Sequence, residues 1–95
     1  MIVIDCEKGF WFLFKNNESY YLDVNVCLGL VDISISIELN EMEITAYLRN
    51  GKSAIDKIAQ EINSKQSAEH PRNVKNFDEK YNIIEIINDW RKSID

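Results

Sequence analysis

Between Phe10 and Leu39 the apolar residues return at every second position, and after Asn40 they return at every third or fourth. A period of two belongs to strands and a period near 3.6 to helices. The chain must therefore build a sheet first and helices second. The stretch "ISISIEL" shows the first period most strictly: Ile33, Ile35, Ile37 and Leu39 alternate with Ser34, Ser36 and Glu38. In "YYLDVNVCL" the even positions Leu22, Val24, Val26 and Leu28 are apolar, while Tyr21, Asp23, Asn25 and Cys27 fill the odd ones. "FWFLFK" (10–15) is aromatic and strand-like, and Met1 to Asp5 is a short apolar run. Turn residues separate these runs at Glu7-Lys8-Gly9, at Asn16 to Ser19 and at Gly29 to Asp32. The reading is a four-strand antiparallel meander over residues 1–39.

The helical half opens with a capping signal. Asn40 followed by Glu43 has the layout of a capping box. Ile44, Tyr47 and Leu48 then recur at helical spacing, and Asn50-Gly51 ends the helix. A second helix starts near Ser53, with Ala54, Ile55, Ile58, Ala59 and Ile62 as its apolar stripe. These two helices form the pair 40–62. Residues 63–77 read as a polar loop holding the only proline, with room for a short strand around Val74. From Asp78, a plausible cap, one helix is expected to run to residue 94, with Ile83, Ile86, Ile87, Trp90 and Ile94 on one face and Arg91 and Lys92 suited to its C-terminal end.

Strands segregated from helices imply an α+β domain. Ninety-five residues make one domain, 1–95, in which an antiparallel sheet of about four strands is packed on one face by two to three C-terminal helices. The even face of the third strand and the isoleucine face of the fourth would meet the helices. The other face would carry Trp11, Leu13, Tyr21, Asp23, Asn25, Cys27, Ser34, Ser36 and Glu38. An ordinary exposed strand face carries Lys, Glu and Thr. Aromatics beside acids and an amide have instead the composition of a protein interface. Trp11, Tyr21, Asp23, Asn25, Asp32 and Glu38 are the expected partner-binding residues. The competing reading is that the C-terminal helix or a second subunit covers that face.

Charge narrows the partner. The net charge is −5, and residues 1–39 hold six acids against two bases. That argues against nucleic acid, which needs a basic patch, and favours a basic protein partner or plain solubility. No signal-peptide pattern and no run of about 20 apolar residues is present, so a cytoplasmic protein without a membrane segment is expected. Cys6 and Cys27 form no CxxC and read as free thiols of a reducing compartment. His70 is the only histidine and lies in the polar loop. No catalytic triad, phosphate loop or metal-ligand spacing can be built from these residues. The chain is not expected to be an enzyme or to hold a cofactor or metal.

The strand "YYLDVNV", the run "ISIELNEMEITAYLRNGKSAIDKIAQEI" and the terminal "WRKS" together resemble small immunity proteins of bacterial polymorphic toxin systems. Immunity proteins of contact-dependent growth inhibition are the group most similar in pattern. The resemblance spans roughly residues 11–62 and the tail. It implies a protein that binds its cognate toxin, often a basic nuclease domain, in the cytoplasm and blocks its active site; separately, a monomer or weak dimer is expected when the chain is free. It carries over no catalytic residues. A small acidic secretion chaperone that binds an effector is the alternative.

Overall fold

The computed structural model describes residues 1–65, 70–74 and 77–94, the side chains of Asp78 and Ile94 excepted. The order of the polar loop at 66–69 and 75–76, the Asp78 cap and the place of Ile94 in its stripe lie outside the described residues. The chain is an α+β fold. Strands β1 (Ile2–Glu7), β2 (Trp11–Asn16), β3 (Ser19–Leu28) and β4 (Val31–Glu38) form one antiparallel sheet in sequence order. Helices α1 (Glu41–Asn50), α2 (Lys52–Ser64), α3 (Phe77–Tyr81) and α4 (Ile83–Ile94) follow.

Two tight hairpins fix the register. Asn17-Glu18 joins β2 to β3 with Asn16 opposite Ser19, so Leu13 lies opposite Leu22 and Trp11 opposite Val24. Gly29-Leu30 joins β3 to β4 with Leu28 opposite Val31, so Leu22 lies opposite Ile37. Directly paired residues share a face of the sheet. Trp11, Leu13, Leu22, Val24, Val26, Ile35 and Ile37 therefore form one apolar face, and all are buried. This overturns the placement of Trp11 and Leu13 on the opposite face. Gly29 takes φ +66 at the first loop position, a conformation glycine adopts without strain.

The Asn40 capping box is present. The Asn40 side chain accepts from the Glu43 N–H at 2.9 Å, and the Glu43 carboxylate accepts from the Asn40 N–H at 2.9 Å. Gly51, at φ +70, ends α1 by donating its N–H to the Tyr47 carbonyl at 2.7 Å. The chain then turns directly into α2. Ile55, Ala59 and Ile62 of α2 are buried on the first sheet face, with Ile44, Tyr47 and Ile58 packed alongside, and Ala54 is buried as well. Leu48 points away and is exposed.

The expected single C-terminal helix is broken. Asn82 takes φ +52, a left-handed conformation that Asn tolerates better than most residues, and it separates α3 from α4. The break lets α3 stack Phe77 and Tyr81 on Tyr21 and Phe14, while α4 lays Ile83, Ile86 and Ile87 on the same side. Helices thus lie on both faces of the sheet. The first face takes α1 and α2, and the second takes α3 and α4. Packing on one face only is corrected accordingly. Near Val74, where the polar loop had room for a short strand, there is a single bridge between Ile37 and Asn73, with the Val74 N–H donating to the Ser36 carbonyl at 2.6 Å.

Candidate functional site

The second face is covered unevenly, and the register explains why. Its rows, across the sheet, are Val3, Phe14, Tyr21 and Glu38, then Cys6, Phe12, Asp23 and Ser36, then Asn25 and Ser34, then Cys27 and Asp32. Apolar side chains occupy β1 and β2, so α3 and α4 bury them there. Phe14 and Tyr21 are buried in that cluster. Trp90 meets Phe12 edge-on, with ring centroids 5.8 Å apart. Polar side chains occupy the far ends of β3 and β4, and no described helix covers them. Between the end of α4 and these strands lies a groove of about 580 Å³. Phe12, Ile87 and Trp90 form its apolar side, and Asp23, Asn25 and Ser34 its polar side. Lys8 and Arg91 also line it.

The six expected partner-binding residues therefore separate into three groups. Trp11 is 1% exposed, and its indole Nε1–H donates to Asp56 of α2 at 2.8 Å. It is a core residue, because the two-residue hairpin turns odd positions of β2 onto the face of even positions of β3. Tyr21 is also buried, beneath Phe77 and Tyr81. The Tyr81 hydroxyl, 3.4 Å away, and burial push its hydroxyl up to about 12. Neither can touch a partner in this conformation.

Asp23, Asn25 and Asp32 do share the open part of the second face. Asp23 is half-buried at the groove, where the Ser36 hydroxyl donates to it at 3.2 Å. Asn25 and Asp32 are exposed. Asp32 lies opposite Cys27, and its carboxylate, by hydrogen bond and charge, raises the Cys27 thiol above its ordinary value. Glu38 is exposed but belongs elsewhere. It stands six residues along β4 from Asp32, roughly 20 Å at strand rise.

The sequence reading missed Trp90 as a groove residue, since helical spacing assigned it to the core stripe. It also missed the hairpin tip, where Leu30 is fully exposed and Val31 is 60% exposed. A leucine in a two-residue hairpin loop is the signal that could have flagged it.

Among the described residues no group of three or more His, Cys, Asp and Glu is placed to hold a metal ion. His70 is half-buried, and its Nδ1 accepts from the Arg72 N–H at 3.2 Å. Burial and the nearby Lys65 and Arg72 charges lower its pKa. No described helix is long and apolar enough to cross a membrane. No family model, curated protein or solved structure matches the chain.

Proposed function

We propose that this protein is an immunity protein that binds a cognate bacterial toxin and neutralises it by protein–protein contact in the cytoplasm. The supporting observation is the division of the second sheet face. One half is buried under α3 and α4, and the other half exposes Asn25, Cys27, Asp32 and Ser34 beside a groove walled by Phe12 and Trp90. An exposed strand surface with an acid and an amide, flanked by aromatic anchors and the exposed Leu30 at the hairpin tip, has the make-up of an interface rim and core. The excess of acids in residues 1–39 suits a basic partner, whose encounter it would accelerate. A toxin acting on nucleic acid is such a partner, because its own site must attract phosphates.

The test is capture from the native host with tagged protein at low and moderate salt, followed by co-expression. One basic polypeptide that kills cells alone, and no longer kills them when this chain is present, is the expected result. Capture of a secreted effector that is harmless alone would overturn the reading in favour of a secretion chaperone. A captured toxin that still kills in the presence of excess chain would also overturn it.

A further inference from the structure

β4 is an edge strand, and its outward backbone groups are used unevenly. The Ser36 N–H donates to the Asn73 side chain at 3.0 Å, its carbonyl accepts from Val74, and the Glu38 carbonyl accepts from Arg72 at 2.7 Å. Odd positions turn the other way, as the Leu39 N–H does toward the Tyr20 carbonyl at 2.8 Å. Antiparallel geometry alternates strictly. Asp32 and Ser34 therefore point the same outward N–H and C=O groups at the edge, and nothing among the described residues bonds them.

Open edges are usually blunted by bulges, charges or proline. The opposite edge is blunted in this way: β1 has a register shift between Val3 and Asp5, and the Asp5 carboxylate takes the Cys6 N–H at 2.8 Å. The window on β4 has no bulge, no proline and no lysine; its one charge, Asp32, lies beside Cys27 on the second sheet face, and its pairing with β3 is unbroken. It is bounded by the Gly29-Leu30 turn on one side and by Asn73, seated at Ser36, on the other.

We propose that this window, Val31 to Ile35, pairs antiparallel with the same window of a second copy about a two-fold axis through Ile33. Ile33 is midway between the two bounds, at residues 30 and 36, so only a two-fold centred there fits both ends. Asp32 then lies opposite Ser34 of the second copy, and Ser34 opposite Asp32, exchanging four backbone hydrogen bonds. No carboxylate faces its own copy. Ile33 meets Ile33, and the exposed Val31 gains cover. The contact is isologous and closed, and its shortness makes it a weak dimer, well below the usual interface size of roughly 1,600 Å². Both copies carry −5, so added salt strengthens this association by screening. Salt weakens the proposed toxin contact, so the two contacts fail separately.

Sedimentation velocity across a concentration series, with amide exchange followed by NMR, tests it. Asp32 and Ser34 amides should become protected as concentration rises, and association should tighten with salt. Ser34→Pro removes only an outward donor and leaves the β3 ladder whole. It should weaken association roughly 10- to 100-fold, since each dimer loses two hydrogen bonds. Val31→Lys, at an exposed position, should weaken it too and covers the case of a Ser34→Pro chain that does not fold. A chain that stays monomeric up to about millimolar concentration (a weak-binding bound) overturns the proposal. So does self-association that is indifferent to both variants, or protection of Asp32 and Ser34 only when a different protein is added.

Discussion

At the scale of single residues, Trp11 and Cys27 carry opposite lessons. Trp11 contributes both buried area and a bond to the half-buried Asp56. Trp11→Phe keeps most of the area and strands the carboxylate, so it should cost about 1–3 kcal/mol. Trp11→Ala should cost about 3–5 kcal/mol. Urea unfolding measures both, with Trp90 as the remaining fluorophore. Neither variant should alter affinity for the proposed toxin partner per folded molecule, which a surface role for Trp11 would require. Cys27 is exposed, yet Asp32 raises its thiol pKa, so its thiolate fraction is small near neutrality. Asp32→Asn removes the acceptor and the charge. Iodoacetamide should then label Cys27 faster at fixed pH, with the rate curve moved to lower pH. An unchanged curve would mean that Asp32 does not control the thiol.

At the scale of elements, what was legible followed from local chemistry. The capping box, the Gly51 stop and the α2 stripe each need only neighbours within one helix, and all three are present. The faces of β2 were misassigned because face membership depends on loop length. A two-residue loop pairs odd positions with even ones, and the turn at Asn16 to Ser19 already contained that information. The break at Asn82 was hidden for another reason. The isoleucine stripe lies wholly beyond it and no glycine or proline marks it, while the stacking of Phe77 and Tyr81 on Phe14 and Tyr21 favours the break. The segment 70–74 is held by Arg72, which donates to both Glu43 carboxylate oxygens at 2.9 and 2.6 Å as well as to the Glu38 carbonyl. Burial alone would raise the Glu43 carboxyl, but hydrogen bonds from Arg72 and the Asn40 N–H outweigh it and hold the pKa below its ordinary value. A depressed carboxylate stabilises the fold above its unfolded pKa, and that contribution fades as pH falls through the folded one. Arg72→Met should cost about 1 kcal/mol at neutral pH, a partly exposed pair being worth little more. It should shrink the loss of stability between neutral and acid pH, and speed amide exchange at Val74. Denaturation at a series of pH values would check the sign.

At the scale of the whole molecule, the sheet has one face closed by α1 and α2 and another that α3 and α4 close only in part. What the sequence could not reveal was which helices would go to which side, because that choice depends on contacts more than forty residues apart, such as Trp11 with Asp56 and Tyr21 with Tyr81. Once made, it decides which acids can act together. Asp32 shares the open half of the face with Asn25, whereas Glu38 sits roughly 20 Å along β4. A basic partner docked on the open half would therefore feel Asp32 strongly and Glu38 weakly at physiological salt, where charges are screened over about 8 Å. Asn25→Lys with Asp32→Lys should slow association with the captured toxin about tenfold or more at low salt, and the deficit should narrow as salt is added. Glu38→Lys alters net charge by the same amount as Asp32→Lys alone, so it separates local contact from overall charge. Stopped-flow association across a salt series gives the comparison. If Glu38→Lys slows binding as much as Asp32→Lys does, net charge rather than the open half of the sheet steers the partner.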